Sequence, residues 1–218
     1  MRHIKYLLLF LLLVTVVLPS IAEAEEKDCL FSSDFAASKL PAEISPLHKT
    51  RWMVEDGVLI GMPATAEQQQ MNKEAGPSHF GLNAKMFVKS RFKDAVVEFD
   101  FRFDEEGSTA VFVSNAPGRS HLFSLSLSPE KTTLTRFQDK KLKGDKKEVL
   151  VEVPTRLTAR KWHRVKVVMQ GEAVMVSVNG KETLSVAHER FVGEKHNPNF
   201  RTAGARTIQL DNISIQKI

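Results

Sequence analysis

Cysteine is almost missing from this chain: Cys29 is the single one in 218 residues. An intrachain disulfide is excluded, so packing and hydrogen bonding must hold the fold together. A large charge of one sign is lacking too. Lys and Arg total 31 against 26 Asp and Glu, a formal charge of +5. That mild excess demands no polyanionic partner, and no nucleic acid is expected. There is no Walker loop, no dinucleotide fingerprint and no nucleophile elbow, which removes the common routes to nucleotide binding and serine hydrolysis. No His-x-His, HExxH or Cys-rich knot supplies metal-ligand spacing, so no cofactor is expected. Calcium stays open, because Asp side chains and backbone carbonyls bind it at loop rims without a linear signature.

Only one long apolar run exists. Leu7 to Leu18 is interrupted solely by Thr15, follows Arg2 and Lys5, and ends at Pro19-Ser20 ahead of Ala22-Glu23-Ala24. A basic head, a short apolar stretch and small residues at the cleavage positions are the layout of an export signal over residues 1–24. Later segments are too short or too polar to cross a bilayer. The expectation is an extracytoplasmic protein, periplasmic or secreted, without stable membrane insertion once the signal is removed. Residues 25–218 are then enough for one domain with its own core. The oligomeric state is not legible.

Strand signals dominate what remains. In AVVEFDFRFD, from 95 to 104, Ala95, Val97, Phe99, Phe101 and Phe103 alternate with Val96, Glu98, Asp100, Arg102 and Asp104. A period of two places the phenylalanines on one face and the charges on the other. Residues 52–61 read as a hairpin turning at Asp56-Gly57, and Asn179-Gly180 fits a type I′ turn between two further strands. Residues 62–78 read as a loop holding at most one helical turn, and residues 187–205 as a loop carrying His188, His196, Asn197 and Asn199. In the last strand Ile208 and Leu210 share a phase that slips at Asp211-Asn212 before Ile213 and Ile215, which predicts a β-bulge. Trp52 and Trp162 head alternating strands and are expected in the core. Eleven to thirteen short strands predict an all-β fold, a two-layer antiparallel jelly-roll sandwich.

Four stretches in order carry a family likeness: Trp52 to Gly61, Phe92 to Phe103, Lys161-Trp162 leading to Val176-Ser-Val-Asn-Gly180, and Leu210 to Ile215. Over residues 50–217 the chain resembles the concanavalin-like sandwich domains of the 3-keto-disaccharide hydrolase, or 3-keto-glucoside lyase/hydratase, type. The resemblance implies an exported bacterial protein whose partner is carbohydrate, acting on 3-keto-glycosides. It also implies histidines at the positions of His79 and His121. A carbonyl at C3 acidifies its neighbouring proton, so such chemistry needs a base and a donor to the developing enolate, roles that His and Arg can fill. The candidate catalytic set is accordingly His79, His121, His196 and Arg102. Candidate substrate contacts are Glu98, Asp100, Arg136 and Asn197. Of these, His79, Arg102, His121, His196, Asp100 and Glu98 are expected on one sheet face and its rim.

Glu98-Phe99-Asp100-Phe101 also resembles the opening of a retaining glucanase strand. Arg102 and Phe103 occupy the place of its closing glutamate, so the acid of that mechanism is missing. An Asp100–Arg102 ion pair is the plainer expectation for this row. The lysines between 140 and 147 alternate with Asp139, Asp145 and Glu148 and read as a solvated hairpin tip. Two other classes of function remain open: a non-catalytic glycan-binding or adhesive module of laminin-G type, and an envelope scaffold domain.

Overall fold

The computed structural model describes residues 28–75, 81–105 and 107–218. The export-signal reading of residues 1–24 and the candidate His79 lie outside the described residues. In chain order the first strands are β1 (Cys29–Ser33), β2 (Ile44–Pro46), β3 (Arg51–Glu55) and β4 (Val58–Met62). Helix α1 (Ala66–Ala75) precedes β5 (Lys85–Val88), β6 (Arg91–Phe92), β7 (Ala95–Phe103), β8 (Thr109–Ala116) and β9 (Arg119–Leu127). Then come β10 (Lys131–Arg136), β11 (Glu148–Pro154), β12 (His163–Gln170), β13 (Ala173–Val178) and β14 (Lys181–Ala187). A 3₁₀ turn (Glu189–Phe191) leads into β15 (Lys195–Ala203) and β16 (Ile208–Lys217).

The strands form two antiparallel sheets. Sheet A runs β14-β13-β12-β7-β16-β4-β3, and β1 pairs with the later part of β16. Sheet B runs β11-β10-β9-β8-β15-β5-β2, and β6 pairs with the start of β15. The sheets close face to face over the phenylalanines read from the alternation. Phe99 of sheet A meets Phe112 at 6.1 Å and Phe200 at 5.0 Å, both on sheet B. The expected two-layer antiparallel sandwich is what the chain forms. Among the described residues no helix is long and apolar enough to cross a membrane.

Several local expectations hold. Asp56 and Gly57 take φ of 49° and 75°, and Asn179 and Gly180 take 53° and 77°. Both pairs lie in the left-handed region that a type I′ turn requires. The final strand is bulged between Asp211 and Ser214, with Asn212 at φ 49°.

Others need correction. The stretch read as a loop with one turn holds the ten-residue helix α1. Thr65 caps it, its Oγ1 accepting from the Gln68 N–H at 3.3 Å. The segment 187–205 is not one loop, because β15 lies at the centre of sheet B between β8 and β5. Its pattern was obscured by a bulge between His196 and Asn199, where Asn197 sits at φ 43° ahead of Pro198. It was obscured also by Lys195, which is 1% exposed and donates from Nζ to the carbonyls of Lys93 and Gly193.

One tryptophan differs from expectation, while the other packs against the core. Trp162 is 38% exposed, its ring under the Arg102 guanidinium rather than in the core. Trp52 is half-buried beside Gly61, where an added Cβ would stand 2.4 Å from the indole. Its Nε1 donates to Thr50 Oγ1 and to the carbonyl of Lys85, both at 3.2 Å. This contact ties the edge of sheet A to β5 of sheet B.

Candidate functional site

The outward face of sheet A carries Glu98, Asp100 and Arg102, and its charges satisfy one another across strands. Glu98 pairs with Arg164 and Lys166, both at 3.3 Å. Asp100 accepts from Asn212 Nδ2 at 2.8 Å. Arg102 Nε donates to Gln209 Oε1 at 2.7 Å, and its plane lies 4.7 Å from the Trp162 ring centre. The expected Asp100–Arg102 pair therefore does not form. Residues i and i+2 on one strand stand roughly 6.5–7 Å apart, whereas cross-strand partners approach to about 5 Å and win.

Asp211 lies directly across from Asp100. Burial pushes its carboxyl above the usual value, the charges of Asp100 and Asp34 add to the shift, and the Asn212 N–H opposes it. An acid that binds its proton more tightly when folded supports the fold below its unfolded value and loses that support as pH rises through the folded one. Asp211→Asn is thus expected to raise Tm by roughly 1–3 °C at pH 7. The gain should disappear below the ordinary aspartate value of 3.8. Thermal melts at pH 7 and pH 3 measure both limbs.

The outward face of sheet B is built differently. Phe112, Phe123 and Phe200 point into the sandwich, where they contact one another. Strand parity therefore turns Val111, Val113, Ser124, Asn199 and Arg201 away from the core. Met86 and Val88 are inward on β5, so Lys85 and Phe87 are outward; Leu134 is inward on β10, so Thr133 and Thr135 are outward.

The register arranges these residues in two rows. One runs Lys85, Arg201, Val111, Ser126, Thr133, Glu152 across six strands. The other runs Ser45, Phe87, Asn199, Val113, Ser124, Thr135. At about 4.8 Å per strand, each row is roughly 24 Å long. Val113 is 0% exposed, Ser124 4%, Asn199 5%, Val111 6% and Thr135 7%. These side chains are turned away from the core yet largely withdrawn from water. The face carries hydroxyls, an amide, two cations and a half-buried phenylalanine.

Beside the middle of the second row, next to Asn199, stands a hydrogen-bonded chain. Asn199 Nδ2 and Asn115 Nδ2 both donate to the Asn197 carbonyl, at 3.0 and 2.6 Å. With its NH₂ so engaged, Asn115 presents Oδ1 to His121 Nδ1 at 2.8 Å. That oxygen can only accept, so Nδ1 carries the proton and Nε2 is the basic nitrogen of the neutral ring. The Asn197 side chain itself accepts from the Ser90 N–H at 3.3 Å, which shapes the bulge. His196 is the cross-strand neighbour of Asn115.

The sequence candidates thus divide. His121, His196 and Asn197 gather at the end of the sheet B face, while Glu98, Asp100 and Arg102 lie on the opposite outer face of the sandwich. One sheet face with its rim does not unite them. Arg136 belongs to neither group. Its guanidinium donates to Asp145, Glu148 and the carbonyls of Phe137 and Lys146, which commits its N–H groups internally. Missed were Lys85, Phe87, Ser124, Ser126, Thr133, Thr135 and Arg201. The alternation Phe123-Ser-Leu-Ser-Leu127 carried the same period of two as Ala95 to Phe103, and asking what its polar half faced would have found the serines.

No protein-family model and no curated protein matches the chain. Solved structures do match in shape. A carbohydrate-binding module, CBM66, from Bacillus subtilis is 10% identical with a TM-score of 0.58, over 80% of this chain and 96% of that one. A Bacillus subtilis protein of unknown function with a galectin-like fold is 11% identical with a TM-score of 0.63, over 87% and 96%. A non-specific endo-β-1,3(4)-glucanase from family GH16 is 10% identical with a TM-score of 0.61, over 87% and 91%. At such identities the likeness establishes the fold, a galectin- and concanavalin-like β-sandwich.

Proposed function

We propose that this protein is an exported carbohydrate-binding sandwich and that the glycan lies along the outer face of sheet B. The observation that carries this reading is the pair of cross-strand rows. Ser124, Ser126, Thr133, Thr135 and Asn199 offer hydrogen-bonding groups at strand spacing, with Phe87 among them as an apolar surface. Neutral sugars are bound by such groups held in fixed geometry, and apolar side chains interleaved with a few placed polar groups are the usual lining of a ligand site. The fold shared with a carbohydrate-binding module and with glycan-cleaving enzymes supports the same reading. The outer face of sheet A is a poorer candidate, since its acids and Arg102 already have partners.

Oligosaccharide binding measured by calorimetry tests this. Ser126→Trp fills the first row and should abolish binding while circular dichroism stays unchanged. Lys166→Trp, on the other sheet, should leave binding intact. Equal affinity in both variants would place the glycan elsewhere.

A second reading rests on His121. Its Nδ1 is held by Asn115, which orients the ring as the imidazole of a general base is oriented. With the resemblance to 3-keto-disaccharide hydrolases, this favours cleavage of a 3-keto-glycoside beside Asn199 of the second row. Incubation with a 3-keto-disaccharide and sugar analysis tests it. Release by the wild type and its loss in His121→Ala are expected; no release by either protein leaves the molecule a binder.

A further inference from the structure

We infer that the glycan is anionic and that its acidic group sits on Lys85 and Arg201, at one end of the first row. This rests on the carbohydrate reading above and narrows it to a class of ligand.

Lys85 and Arg201 are direct cross-strand partners on β5 and β15. Parity turns both outward, because their neighbours Met86 and Phe200 are buried in the core. Two cations opposite one another in a sheet repel, and side chains so placed stand about 5 Å apart at Cβ. Neither is fully exposed, so water screens the repulsion incompletely. Among the described residues neither forms an ion pair: the carboxylate in their own row, Glu152, is at the far end and is bonded to Lys131 and Thr133. The next outward residue in the row is Val111, which offers no charge.

The outer face of sheet A shows what the same chain does with cations that have no ligand to meet. There Arg164 and Lys166 share Glu98, and Arg102 rests on Gln209 and Trp162. On sheet B the cations are left facing each other. Burial, with the Arg201 charge second, holds the Lys85 ammonium below its ordinary value, and burial does the same for Arg201. Both directions mark a place where an anion would relieve the cost of the charged forms.

The pair is also held in position before any ligand arrives. The Lys85 carbonyl accepts from the Leu47 N–H and Thr50 Oγ1, each at 2.8 Å, and from Trp52 Nε1 at 3.2 Å. Arg201 follows Phe200, whose ring is locked edge-on against Phe99. A planar carboxylate or a sulfate ester presents several oxygens to such a pair, the guanidinium taking two and the ammonium another. From there the uncharged part of the glycan passes Val111 to reach Ser126 and Thr133.

The test uses three oligosaccharides of equal length: a uronic-acid oligomer, a sulfated oligomer and a neutral one, titrated into wild type, Lys85→Met and Arg201→Met. At least one acidic ligand should bind the wild type roughly 10- to 100-fold more tightly than the neutral one. Each variant should lose that advantage. A carboxylate at the site makes the uronic oligomer the preferred arm; a sulfate makes it the sulfated one. The variants should melt no lower than wild type, since each removes a repulsion. Equal affinity for neutral and acidic ligands, unaltered by either variant, overturns the anionic assignment and leaves carbohydrate binding standing. No binding of any oligosaccharide to the wild type overturns the carbohydrate reading itself. A lowered Tm in Arg201→Met would mean that the arginine already has a counter-charge, which also sinks the inference.

Discussion

Replacing Phe99 by alanine is expected to destabilise the protein by roughly 4 kcal/mol and to lower Tm by about 8–16 °C. The side chain is 1% exposed and meets rings from both sheets: Phe101 at 6.3 Å on its own strand, Phe112 at 6.1 Å and Phe200 at 5.0 Å across the interior. Truncation removes the apolar surface and the edge-to-face contact, and leaves a cavity that three stiff rings cannot collapse into. Phe112 and Phe200 also touch each other at 5.6 Å, so the gap would loosen β8 and β15 together. Those two strands carry Val111, Val113, Asn199 and Arg201 on their other side, which couples this core position to the candidate ligand face. Glu98→Gln, one residue away, should change stability by less than about 1 kcal/mol, because that side chain points outward and its ion pairs with Arg164 and Lys166 lie at the surface. Denaturant melts of the two variants measure the contrast. A loss below about 2 kcal/mol for Phe99→Ala would show that the interior repacks around the hole.

That contrast is the part of the fold most legible in the sequence. Parity over nine residues of β7 was written in the alternation of phenylalanine with charge, and the structure keeps it without a slip. Turn chemistry was equally local: Asp56-Gly57 and Asn179-Gly180 declare themselves because few other residues accept positive φ. The strand β15 was hidden for an equally physical reason. Lys195 and Asn199 look solvated in a sequence, yet both are buried in the fold, one bonded to the Lys93 and Gly193 carbonyls and the other to the Asn197 carbonyl. The bulge at Asn197-Pro198 then breaks the period on which strand recognition depends.

The candidate face was hidden at a higher level. Each of its two rows collects one residue from each of six strands, and Lys85 meets Arg201 only through the register of β5 against β15. No spacing within the chain encodes that meeting. The charged row of β7 was conspicuous because it is contiguous, and its partners on β12 and β16 leave little for a ligand to do. Conspicuous charge on one strand and useful charge across several are different signals, and only the first survives in a linear reading.

Arg136→Met should cost on the order of 3 kcal/mol at pH 7, a fall of roughly 6–12 °C in Tm, and should leave glycan affinity unchanged. The Arg136 side chain is 8% exposed and bonds Asp145 at 2.8 Å and Glu148 at 3.1 Å. Asp145 in turn accepts from Arg190 and from the Asp139 N–H, and Arg190 reaches Asp139 at 3.6 Å. Methionine fills much of the space but leaves Asp145 with one guanidinium where it had two, in a place largely withdrawn from water. The Asp139 N–H, then Arg136 and Arg190, hold the Asp145 carboxyl well below the usual carboxylate range. A depressed acid supplies stability that is present above its unfolded value, 3.8 here, and fades as pH falls toward the folded one. The difference between wild type and Arg136→Met should therefore be full at pH 7 and narrow in melts below about pH 4. Had Arg136 been a substrate contact, the variant would lose affinity at an unchanged melting temperature. The two readings of this arginine predict opposite patterns in the same pair of measurements, and the saturated guanidinium favours the clamp.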